Sequence, residues 1–118
     1  MALSSDEEEF VAYLVDLMQS IGPVGARRMF GGHGVFLDGL MFGLVADSTL
    51  YLKADADSEP EFAALGLEAF TYAKNGKPYR MSYFQAPEEA LEDPEQMNVW
   101  ANKAYAAALR AAAKKRKG

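Results

Sequence analysis

The 118-residue sequence contains no cysteine. That excludes a disulfide framework, a thiolate nucleophile and any zinc or iron–sulfur site built on thiolates. It fits a reducing compartment. Histidine occurs once, at His33. A metal would need carboxylates around a single imidazole, whereas three or four convergent ligands are the usual demand. No serine sits in a G-x-S-x-G context, so Ser-His-Asp chemistry has no visible frame. No catalytic residue, cofactor or metal ligand is expected. No run of about 18 apolar residues occurs, and the acidic start from Met1 to Glu9 lacks the apolar stretch of a secretory leader. A cytoplasmic protein with no membrane contact is expected. Positive charge is also scarce. Twelve Lys and Arg face 17 Asp and Glu, for a net charge of −5. A domain-wide basic footprint, the usual mark of autonomous nucleic-acid binding, is therefore missing.

What is present is ordinary for a globular chain: half the residues are hydrophobic and a quarter are charged. The length suggests one domain, 1–118, able to bury about two-thirds of its unfolded surface. Charge is uneven along it. Asp6, Glu7, Glu8 and Glu9 crowd the start. Lys114, Lys115, Arg116 and Lys117 crowd the end, where a flexible basic tail, 114–118, is expected to touch phosphates weakly.

Ser5-Asp6-Glu7-Glu8 has the form of a capping box, with the acids as a solvated cap. Phe10, Leu14, Leu17 and Ile21 then recur at helical spacing until Gly22-Pro23. Strand candidates follow at Arg27 to Phe30, Gly34 to Leu37, Leu40 to Val45 and Leu50 to Lys53. Asp38-Gly39 is a hairpin signal, and Asp47-Ser48 reads as a turn. The run Leu40 to Val45 is apolar at every position, which predicts a central strand covered on both sides. Ser58 is the expected cap of a short helix. Two more strands flank Asn75-Gly76, with Tyr79, Met81 and Tyr83 on one face and Arg80, Ser82 and Phe84 on the other. Pro87 to Leu91 suits one helical turn. Asp93-Pro94-Glu95-Gln96 opens a last helix with Asp at the N-cap and Pro at N1. The predicted class is α+β: a largely antiparallel sheet of five to six strands with packed helices, in the order helix, four strands, helix, two strands, helix.

Gly31-Gly32-His33-Gly34 stands out, with Arg27 and Arg28 just before it. Two readings stay open. One is a tight turn or bulge between paired strands. The other is an anion cradle that would serve a small-ligand-binding protein or an enzyme. The glycines match neither phosphate-binding pattern of known mechanism. Adjacent strand arginines point to opposite faces, so ion pairing is expected for one of them, with exposure for the other. Tyr51, Tyr72, Tyr79 and Tyr83 are read as cross-strand pairs ahead of an aromatic groove. Trp100 is read as the core anchor of the last helix.

The stretch Arg28-Met29-Phe30-Gly31-Gly32-His33-Gly34-Val35-Phe36 resembles the N-terminal domain of TfoX/Sxy, regulators of natural competence. The resemblance continues through Asp38-Gly39, Met41-Phe42, Leu50-Tyr51-Leu52-Lys53-Ala54-Asp55 and Phe70-Thr71-Tyr72. It closes with Met81-Ser82-Tyr83-Phe84, Pro87-Glu88-Glu89-Ala90-Leu91 and Trp100-Ala101. It implies an α+β domain and a role in transcriptional control of competence genes. In two-domain members it implies action with the cyclic-AMP receptor protein and a second domain of helix-hairpin-helix character. The sequence given ends at Gly118, so a single-domain member is expected, to which that function transfers only in part. The family brings no catalytic residues. A protein partner is expected, in the transcription machinery or as a homodimer. Nucleic-acid contact is expected to be weak and non-specific at most.

Overall fold

The computed structural model describes residues 2–29 and 31–117, with side chains described from Asp6 to Lys115 apart from Phe30. Its elements are α1 (Ala2–Leu17), a 3-10 turn (Gln19–Ile21), β1 (Gly25–Met29), β2 (Gly32–Leu37), β3 (Leu40–Ala46), β4 (Thr49–Lys53), α2 (Glu59–Ala64), β5 (Ala69–Lys74), β6 (Lys77–Gln85), α3 (Glu88–Glu92) and α4 (Pro94–Lys117). The class is α+β. One antiparallel sheet runs β1-β2-β3-β4-β6-β5.

Three hairpin turns use consecutive residues at positive φ: Asp38-Gly39, Asp47-Ser48 and Asn75-Gly76. Such turns match the twist of the strands they join. Short acid and amide side chains tolerate the left-handed region, and glycine does so freely. A bulge at the β2–β3 pairing leaves Phe42 as the extra residue. Phe42 is fully buried and meets Tyr105 of α4 edge to face at 5.8 Å.

Register fixes the two faces of the sheet. Arg28, His33, Val45 and Leu50 share one face by direct pairing, continued by Leu52 and Phe84. That face meets the helices. Phe62 of α2 lies between Phe84 and Trp100 at ring distances of 5.3 and 5.2 Å. Leu14, Met18, Val35, Leu52 and Met97 complete this core. Small residues Ala101, Ala104 and Ala108 let α4 approach the sheet closely.

The second face, with Gly34, Leu44 and Tyr51 in one row, has no helix against it among the described residues. Leu44 is only half-buried. The reading of β3 as covered on both sides is thus corrected: it is central but clad on one side. Its unbroken apolar run reflects the bulge, which turns Phe42 inward, and an open face that keeps Leu44.

Of the capping expectations, one lies outside the described residues and one changes. α1 starts at Ala2, so Ser5 lies inside the helix; its side chain, and with it the proposed capping box, lies outside the described residues. Ser58 does not cap α2 through its side chain. Asp55 orders the turn that precedes α2, its Oδ1 accepting from the N–H groups of Asp57 and Ser58, each at 3.2 Å. Asp93 behaves as expected, its Oδ1 accepting from the Glu95 N–H at 3.0 Å. No helix among the described residues is long and apolar enough to cross a membrane.

Candidate functional site

The glycine-rich segment folds as the start of β2, not as a loop. Gly31 alone takes a positive φ, +74°. Gly32, His33 and Gly34 are strand residues paired with Met29, Arg28 and Arg27. Gly32 lies against the Val45 carbonyl, so close that a Cβ would overlap the oxygen. Close backbone approach is what a glycine in a strand interior commonly marks. Gly34 is covered by Met29 and Phe36 side chains.

Alternation separates the cationic candidates. Arg28 joins the helical face, its Nη1 3.8 Å from Glu8 Oε2. Arg27 joins the open face, its guanidinium 4.5 Å over the Phe36 ring. Both remain exposed, so neither is a buried structural arginine. His33 is 8% exposed on the helical face. Its Nδ1 lies 3.2 Å from Glu7 Oε2 but off the direction of a hydrogen bond, leaving that buried nitrogen unpartnered. Glu7 Oε1 accepts the Ser48 N–H at 3.2 Å. Glu7 is therefore not a solvated cap residue. It latches α1 onto the β3–β4 turn and the glycine hairpin. The latch joins residues 41 positions apart, which is why local pattern did not reveal it. Arg27, Arg28, His33 and the glycines thus do not converge on one cavity.

A second cluster escaped the sequence reading. Arg110 of α4 donates to Asp55 across 55 positions, its Nη2 3.0 Å from Oδ1 and its Nε bonded to Oδ2. That guanidinium, with the Ser58 hydrogen bonds, holds the Asp55 carboxyl down at about 2. Beside it, burial lowers the Lys53 ammonium, while nearby Asp55 opposes the shift. Lys53 Nζ donates to Ser82 Oγ at 3.4 Å and lies 5.2 Å from the centroid of the Tyr83 ring. Burial raises the Tyr83 phenol. This cluster ties α2, α4 and the β4 end together; each charge in it is answered by a neighbour.

An open groove of about 560 Å³ lies elsewhere, between α1, the 3-10 turn and α4, lined by Asp16, Leu17, Ser20, Pro94, Glu95 and Asn98. Among the described residues no three His, Asp or Glu side chains converge as metal ligands. α4 keeps its helical backbone through Lys117, so Lys114 and Lys115 lie in the last turns of a helix. The side chains of Arg116 and Lys117 lie outside the described residues.

Among the described residues, these features define a two-layer α+β domain, with α1 to α4 packed on one face of a six-stranded antiparallel sheet. Within that class, the model of the TfoX N-terminal domain family matches residues 16–108. The chain is also 33% identical over 86 residues to the DNA transformation protein TfoX1 of Aliivibrio fischeri (strain ATCC 700601 / ES114), a match covering 73% of this chain and 39% of that protein. The chain belongs to the TfoX N-terminal domain family.

Proposed function

We propose that this chain is a regulatory domain in competence-type transcriptional control, working in the cytoplasm through contacts with other proteins. The likeness to a DNA transformation protein carries this reading. Two physical observations support it. The sole histidine is buried against a glutamate of α1, away from solvent. The acids crowd helices and loops, a surface suited to protein contact and hostile to duplex phosphates. Lys114 to Lys117 add weak, non-specific duplex contact at most. The small-ligand reading loses support because Arg27 and Arg28 lie on opposite faces, with Arg28 already paired to Glu8.

The test is deletion of the gene in its source organism, followed by transcript profiling of DNA-uptake genes. Their levels should change and return on complementation. Unchanged transcripts under conditions that induce DNA uptake would sink the reading.

A further inference from the structure

The open face of the sheet carries a continuous row of aromatic rings. Tyr51 and Phe70 meet edge to face with centroids 5.0 Å apart. Phe70 and Tyr72 lie nearly parallel at 6.4 Å, and Tyr72 and Tyr79 nearly parallel at 5.7 Å. Tyr72 and Tyr79 oppose each other across β5 and β6 and remain 43% and 42% exposed. Lys74 and Lys77 pair two residues farther along, so alternation puts them on the same face. Arg27 stands on that face at the far end of the sheet. The ion pairs among the described residues use Arg28, His33, Arg80, Lys103 and Arg110. Arg27, Lys74 and Lys77 take part in none of these.

The placement of the acids makes this contrast sharper. None of the six strands contains an aspartate or a glutamate. A chain of net charge −5 has thus put free bases and rings on one layer and its acids on helices and turns. Exposed charges are screened beyond about 8–10 Å. A ligand lying on the ring row therefore meets lysines first, and net charge is a poor guide to what binds there.

We propose that this face binds single-stranded nucleic acid, with bases stacked along Tyr51, Phe70, Tyr72 and Tyr79 and phosphates held by Lys74 and Lys77. A basic track with aromatic stacking platforms is the general physical solution for that ligand. The ring spacing of 5.0 to 6.4 Å exceeds the ~3.4 Å rise of stacked bases in a duplex strand. Each ring therefore serves a splayed base, which a paired duplex does not offer. A second copy of the chain would set Arg27, Lys74 and Lys77 against their counterparts, with no strand carboxylate on either side to answer them. Stacking is tolerant of base identity, so little sequence preference follows.

The experiment is a fluorescence-anisotropy titration of the full chain with labelled oligothymidylate, oligouridylate and a duplex control at several salt concentrations. Saturable binding of the single strands over the duplex is expected. Tyr72→Ala and Tyr79→Ala should each weaken it about tenfold, as loss of a stacked ring does, while Tyr72→Phe and Tyr79→Phe keep it. Lys74→Gln with Lys77→Gln should lower the salt slope by about 1.4, at ~0.7 per phosphate contact. Neutralising Lys114 to Lys117 should leave the ring dependence intact. Circular dichroism checks each variant's fold, and the Phe and Gln variants still decide the matter if an Ala variant misfolds. Three results would overturn the proposal: no saturable single-strand binding, binding indifferent to the rings and lysines but lost with the tail charges, or equal affinity for a length-matched polyglutamate.

Discussion

Substituting Gly32 by Ala tests how the glycine hairpin is built. A Cβ at this position meets the Val45 carbonyl oxygen well inside the 3.0 Å that real Cβ atoms essentially never breach, with the Val45 carbon at 3.3 Å and the Ala46 Cα at 3.6 Å. All three atoms are backbone of β3, so no side chain can rotate away. Relief requires β2 to part from β3 near the His33–Val45 pair. Overpacking of this kind costs ~1–3 kcal/mol, and a weakened ladder hydrogen bond adds ~0.5–1.5 kcal/mol. The expected loss is about 2–4 kcal/mol. At this chain length that lowers Tm by roughly 10 °C, at about 3–4 °C per kcal/mol. Two neighbours calibrate the argument. Gly31 has open space but a φ of +74°, so Gly31→Ala should cost only the ~1–2 kcal/mol of a left-handed residue. Gly25 has open space and no positive φ, so Gly25→Ala should stay within about 0.5 kcal/mol of the parent. Urea unfolding at 25 °C gives all three. If Gly32→Ala proved no more costly than Gly25→Ala, the contact with Val45 would not shape the hairpin.

Phe62→Ala should destabilise by about 3–5 kcal/mol, because Phe62 is fully buried between Phe84 and Trp100; denaturant midpoints measure this, and a loss under 1 kcal/mol would contradict it. The Asp55 carboxyl, held at about 2 against an ordinary 3.8, contributes stability that is fully present above that ordinary value and fades as pH falls toward 2. Acid unfolding should therefore start at higher pH in Arg110→Ala, which removes the largest cause of the shift, and coincident acid transitions would refute it. Glu7→Ala removes the acceptor for the Ser48 N–H and should cost on the order of 1 kcal/mol, with faster amide exchange at Ser48 as its local sign; unchanged exchange there would contradict the latch.

Local chemistry made much of the fold legible. Asp38-Gly39 and Asn75-Gly76 are turn pairs with positive φ at both residues. The alternation of Tyr79, Met81 and Tyr83 against Arg80, Ser82 and Phe84 holds where Arg80 reaches Glu59 and lies over Phe84 on the helical face. Strand order was harder to see. β4 pairs with β6, leaving β5 outside, and no residue in either strand encodes that choice locally; it follows from how α2 crosses between them. The partners of the paired cations were also hidden, although an ion pair at Arg27 or Arg28 was expected. Arg110 and Asp55 stand 55 positions apart, and Glu8 meets Arg28 only because α1 folds back over β1. Tyr51 and Tyr83 oppose Gln85 and Lys53, but Tyr72 and Tyr79 were legible as a cross-strand pair. That their face stays open was not, because it depends on every helix choosing the other side.

The regulatory reading is tested most directly by footprinting promoters of DNA-uptake genes with the purified chain, alone and with the transcription machinery, at physiological salt. A net charge of −5 and an acid-rich helical layer predict no sequence-selective protection by the chain alone, and a change in the machinery's footprint when both are present. Submicromolar, sequence-selective protection by the chain alone would contradict the account.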